Sequence, residues 1–398
     1  MTRRRRLIRS AAVCTAIAAL IPALAATSAT AATPMASQNV AGSATGTLVA
    51  TLAYRGAEHP YLVGNLADAG KRFGPNSAQA KAAAAALAVN KNAIAQRLSG
   101  GSATKAQVRA ALDARDTAEV AYAAAVVAAH RAGVSGTTAA ETEALAAVAA
   151  GTARLADAVH ATVPAVSVAV AEKGLTTLSA GDEKTLRAAA LNEPAQFADV
   201  EAGSVSLGSL LAGVGQAKAA NATASSRPVE ARAALEVAFT EHVYQTGLFG
   251  EAVLVFGPKS AAATAAHAAD NANTVLVSVL LRDLGSGANT QKVWNSHITG
   301  YDDYLTHLAT GGSSVAAADT LFASYESGIA ADVHHADPAL STTMLKTMLT
   351  MHVTGTLVVF HLEKAGSPAL YPTALGGAAM LASFGGEIAA TKVFPATG

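Results

Sequence analysis

Three histidines carry the most chemistry in this 398-residue chain. His242, His297 and His352 stand 55 residues apart, and then 55 again. Each interrupts an apolar stripe. Leu235, Phe239, His242, Thr246, Phe249 and Val253 recur in steps of three and four, as do Trp294, His297, Tyr301, Tyr304 and Leu308. The third stripe is Leu345, Met348, His352, Thr356 and Val359. That spacing marks the buried face of a helix. A step of about 55 residues is one up-and-down pair of helices with its loops, so the rings are expected at one depth on the first, third and fifth helices of a bundle. Asn271 or Asn273 and Tyr325 are expected at a similar level from the helices between.

Three imidazoles without a thiolate suit Zn or Cu, whereas calcium and magnesium want oxygen ligands. The readings open at this point are a metal site on His242, His297 and His352, a small-ligand pocket walled by Asn273, Trp294, Tyr301 and Tyr304, and a network of core hydrogen bonds. The last needs a partner for every ring, since a buried unpaired polar group costs about 1–3 kcal/mol. Glu241 is a candidate acceptor for a histidine of a neighbouring helix. A di-iron centre would want Glu-x-x-His pairs, and Glu241-His242 are adjacent instead. His59 reads as a core hydrogen bonder, and His334-His335 as a solvated pair near a helix end.

The elements that must position these residues read as helices throughout. Apolar residues make up 51% of the chain and charged residues 14%, which excludes a disordered protein. Alanine supplies much of the apolar share, so numerous, closely packed helices with thin cores are expected. Breaks are expected near Phe73–Asn76, Ser99–Ser102, Gly133–Thr138, Pro164, Ala180–Asp182, Gly257-Pro258, Gly285–Asn289, Gly311–Ser314, Asp337-Pro338 and Gly366–Pro368. No alternating strand run is present. The fold expected is all-α: two tandem up-and-down helical bundles of five or six helices each, over 45–217 and 229–398, joined by a polar linker at 218–228.

The halves look like copies. Glu58-His59 with Tyr61 matches Glu241-His242 with Tyr244, and Phe73-Gly74-Pro75 matches Phe256-Gly257-Pro258. Tyr122 aligns with Tyr304. This pattern resembles an uncharacterised family of exported bacterial two-repeat helical-bundle proteins. Its repeat carries Glu-His, Asn, Trp-x-x-His and a further His, matched here at Glu241-His242, Asn273, Trp294, His297 and His352. The resemblance implies fold and site position, with no activity attached. The first copy departs from it: Arg115 stands where His297 aligns, and Gly174 roughly where His352 does, so it is expected to be the more structural half.

Residues 1–31 read as a signal peptide: a basic start, an apolar stretch broken by Pro22, and a small-residue cleavage site at Ala29-Thr30-Ala31. Arg4–Arg9 also resembles a twin-arginine export signal. Without that segment the chain keeps 23 basic and 28 acidic residues, a net charge of −5, which argues against nucleic-acid binding. The single cysteine, Cys14, leaves with it, so the mature protein has no disulfide and no thiolate ligand. It has no phosphate loop and no nucleophile elbow. The function expected is an exported helical binding protein, secreted or envelope-associated, without a transmembrane helix in its mature form. Its partner would be a metal or a small ligand. The alternative is a structural or adhesive cell-envelope module without a cofactor.

Overall fold

The computed structural model describes residues 40–99, 101–220, 222–311 and 315–392. The signal-peptide reading, at 1–31, lies outside the described residues. Among these the chain forms twelve α-helices and no strand. In order they are α1 (Ala44–Phe73), α2 (Ala78–Leu98), α3 (Ser102–Arg131), α4 (Ala139–Thr162), α5 (Val168–Leu191), α6 (Gln196–Ala219), α7 (Arg227–Phe256), α8 (Ala261–Asp283), α9 (Thr290–Thr310), α10 (Val315–Ala336), α11 (Thr342–Lys364) and α12 (Leu370–Thr391).

Local chemistry sets most of the ends. The side chains of Ser43, Ser77, Ser167, Ser260 and Ser341 each accept a backbone N–H of the first helical turn. Gly74 and Gly257 end α1 and α7 with the same backbone, φ 95° at both, a region that favours glycine. One expected break is absent. α5 runs unbroken through Ala180–Asp182, because Asp182 is paired to Arg115 on α3 and Ser179 meets Thr152 on α4 at 2.9 Å. A lone glycine in a helix costs only about 1 kcal/mol, and these contacts outweigh it. The turn falls instead at Asn192, left-handed at φ 57° and followed by Glu193-Pro194.

Small residues let the helices approach closely. A Cβ on Gly208 of α6 would come within 3.0 Å of the Ala53 carbonyl on α1, and one on Gly215 within 3.2 Å of Val49. α12 lies against α7 in a similar way, with Gly385 facing Phe239. The long helices α1 and α7 also pack along each other. Their Tyr61 and Tyr244 rings stack 5.0 Å apart, 9° from parallel, and Tyr244 donates to Glu58 at 3.2 Å. One buried cluster joins Tyr61 and Leu62 to Tyr244 and Tyr371, and another joins Val49 and Ala53 to Val229. The stretch at 218–228 is pinned: Ala224 is fully buried, and Lys218 donates to the Arg97 carbonyl at 2.8 Å. By length and composition, α6 alone among the described helices is long and apolar enough to cross a membrane. Its Phe197, Val200, Leu207, Leu211 and Val214 are buried in the protein.

Candidate metal centre

α7, α9 and α11 carry His242, His297 and His352 inward. The first two are fully buried and the third is 3% exposed. Their flanking hydrophobes explain the burial: Leu235, Phe239, Trp294, Ile298, Leu345 and Leu349 belong to one core, and helical periodicity turns each imidazole toward the same interior as its stripe.

The rings converge. One ligand atom from each histidine lies within 4.8 Å of the others. His242 Nε2 and His297 Nε2 are 3.1 Å apart. The ring centroids are separated by 5.2, 5.3 and 5.8 Å, with the ring planes tilted by 59°, 52° and 67°, too close for an organic molecule between them. Trp294 meets His242 and His297 at 5.4 and 5.1 Å, and Tyr325 stacks on His297 at 4.0 Å. Tyr301 meets His352 across a 3.4 Å gap between OH and Nε2.

The far side of each ring decides what its near side can do. His297 Nδ1 lies against the Trp294 carbonyl, which can only accept, so Nδ1 carries the proton and Nε2 has a lone pair. His242 Nδ1 faces Asp270 Oδ1 at 3.6 Å. The Asn273 carboxamide also favours the protonated form of that ring. Two arrangements fit the 3.1 Å contact: His242 Nε2–H donating to His297 Nε2, or, with the His242 proton on Nδ1 toward Asp270, two lone pairs that a cation between them would join. Two imidazoles on a tetrahedral ion, with metal–nitrogen bonds near 2.0–2.1 Å, have nitrogens about 3.3–3.4 Å apart. The observed spacing is close to that.

Burial keeps the histidines neutral, the form that binds metals. It pushes His242 and His297 well below the ordinary range, with the neighbouring rings adding to the effect, and lowers His352 to about 4. Burial also raises the Asp270 carboxyl to about 7, against the pull of the hydrogen bond from Thr246 Oγ1 at 3.0 Å. On the triad and the helices that carry or flank it, His242 Nδ1, Asp270 Oδ2, Asn273 Oδ1, Thr274 Oγ1, Trp294 Nε1 and Tyr325 OH are buried without a hydrogen-bond partner among the described residues.

The residues named from sequence divide into those at the centre and those away from it. Trp294 and Tyr301 touch the histidines. Asn273 is buried beside His242 and donates to the Ala238 carbonyl at 3.0 Å. Tyr304 lies one turn farther along α9, where its hydroxyl meets His361 at 2.7 Å on the solvent side. Glu241 turns the other way, accepting from Ser204 of α6 at 2.6 Å, so it does not orient a histidine. The carboxylate at the centre is Asp270, which sequence reasoning missed. Its signal was present, since Asp270, Asn273, Thr274 and Val277 fall on one helical stripe of α8. His59 is a core hydrogen bonder, 3.0 Å from both Asn90 and Asp116. His334 closes onto the Leu340 carbonyl at 2.7 Å, while His335 is exposed. No family model, curated protein or solved structure matches this chain.

Proposed function

We propose that this is an exported metal-binding protein whose second half holds a Zn or Cu ion on His242, His297 and His352. The observation that carries the reading is the pair of Nε2 atoms 3.1 Å apart, each on a ring whose Nδ1 faces an acceptor. An ion fits this spacing, and the close approach of the rings favours it over an organic ligand. Trp294, Tyr301 and Tyr325 wall the centre, and Asp270 steers His242 from behind.

The proposal includes two tandem six-helix repeats, α1–α6 and α7–α12, docked through α1 and α7. Gly74 and Gly257 share one backbone geometry, and Ser77 and Ser260 share one capping role. His160 meets the Val166 carbonyl as His334 meets that of Leu340. Counted from the capping serines Ser167 and Ser341, the position equivalent to His352 is Leu178, rather than the Gly174 expected from sequence. The stacked Tyr61 and Tyr244 would sit at a pseudo-twofold axis relating the repeats. Export rests on the reading of residues 1–31 as a signal peptide.

Elemental analysis after incubation with Zn²⁺ or Cu⁺ tests the metal reading. About one ion per chain is expected in the wild type, and none in the His242→Ala/His297→Ala/His352→Ala variant. Equal metal content in the two proteins would overturn it.

A further inference from the structure

His59 on α1 and His242 on α7 occupy matching surroundings. Each has an asparagine 31 residues later, Asn90 and Asn273. Each asparagine donates to the carbonyl four residues before its histidine, Asn90 to Arg55 at 2.8 Å and Asn273 to Ala238 at 3.0 Å. From there the two places diverge in charge.

Around His59 the protein supplies its own cations. His59 Nε2 meets Asp116 at 3.0 Å, and Lys91 holds the other oxygen of Asp116 at 3.0 Å. Arg55 pairs with Glu58 at 2.6 Å. Arg115, 1% exposed, pairs with Glu119 at 2.7 Å and with Asp182. Around His242 those cations are gone. At the same spacing from the histidine, Ala238 stands for Arg55 and Thr274 for Lys91. His242 Nε2 meets His297 where His59 meets a carboxylate. Most of the first half's acids have gone too, Asp116 and Glu119 falling at Ile298 and Tyr301. Asp270 is added beside His242, where the same spacing puts Leu87 in the first half. It is fully buried, and among the described residues no lysine or arginine is paired with it. Thr274 Oγ1 is left without a partner.

A buried carboxylate is costly without a compensating positive charge. We infer that the ion on the histidine triad is a structural cation, doing in the second half what Lys91 and Arg115 do in the first: it balances buried acid and ties α7, α9 and α11 together. The inference rests on the metal reading and adds the ion's role. The ligand class is a late first-row metal cation; neutral molecules and anions do not meet the charge requirement. The first half, already balanced, holds its shape without metal.

The full chain, stripped with chelator and then supplied with Zn²⁺ or Cu⁺ alone, provides the test. At metal about 100-fold above the dissociation constant, Tm is expected to rise by roughly 5 °C or more. Hydrogen-exchange protection should increase in α7, α9 and α11 and stay unchanged in α3–α5, which do not pack on those helices. A second arm copies the first half's chemistry into the second. His297→Asp with Thr274→Lys is expected to bind no metal, yet to melt above His297→Ala in metal-free buffer. Metal bound by the histidines with no change in Tm or protection would overturn the structural role and leave the metal reading standing. A double variant melting no higher than His297→Ala would overturn the charge replacement. Failure of the wild type to bind either ion would overturn both readings.

Discussion

The imidazoles of His242 and His297 are constrained from behind as much as from in front. Trp294 fixes one by its carbonyl, and Asp270 faces the other at 3.6 Å. Replacing the Asp270 carboxyl by an amide of the same shape should therefore act on the metal without touching a ligand. Asp270→Asn is expected to weaken Zn²⁺ or Cu⁺ binding about 10–100-fold, the usual effect of losing a group that orients a ligating histidine. Competition titration against a chelator measures this, and affinity equal to wild type would remove Asp270 from the site. The three histidines were legible in sequence because each breaks an apolar stripe at helical period. Asp270 was not, because its role depends on how α8 is rotated against α7. Glu241 misled for the same reason: it is adjacent to His242, and adjacent helical residues point about 100° apart.

Helix contacts decide where the stripes meet. α3 and α4 approach so closely that a Cβ on Gly151 would lie 2.7 Å from the Arg115 Cα, a backbone atom that cannot move aside alone. Gly151→Ala should cost about 1–3 kcal/mol through overpacking, despite alanine's better helix propensity. Urea unfolding checks it, and a gain in stability would show that the pair can separate freely. The same contact explains a misread boundary. Gly181-Asp182 looks like a stop in sequence, but Arg115, held down by Gly151, reaches Asp182 and keeps α5 helical.

Across the whole molecule, the packing of α1 along α7 buries polar groups that neither helix could satisfy alone. Arg232 on α7 donates to Thr47 Oγ1 of α1 at 3.0 Å and to the Ala41 carbonyl just before α1 at 2.7 Å, and it pairs with Glu236 of its own helix at 2.7 Å. Burial nevertheless raises the Glu236 carboxyl to about 7, with Arg232 pulling the other way. Its folded pKa is above the unfolded value, so its stabilising share is complete below about pH 4.5 and is lost as pH rises through 7. At one pKa unit per 1.36 kcal/mol, the loss approaches about 3 kcal/mol. Glu236→Gln should remove that slope. The difference in unfolding free energy between wild type and variant is expected to shift in the variant's favour between pH 4.5 and 8. A difference independent of pH would contradict the buried, protonated state.

Helical period, capping serines and glycine stops are local properties, so the sequence by itself determined the all-helical class, most helix ends and the inward face of each histidine. The even 55-residue spacing carried their common depth as well, because the rise of a helix is fixed. Tertiary structure alone decided that three rings come within ligand distance, that Asp270 rather than Glu241 stands behind them, and that Tyr304 faces solvent. Those outcomes depend on rotation and approach between helices. Rotation and approach depend on small residues such as Gly250 against Phe360, Gly300 against Phe322 and Gly385 against Phe239, partners that no linear pattern names.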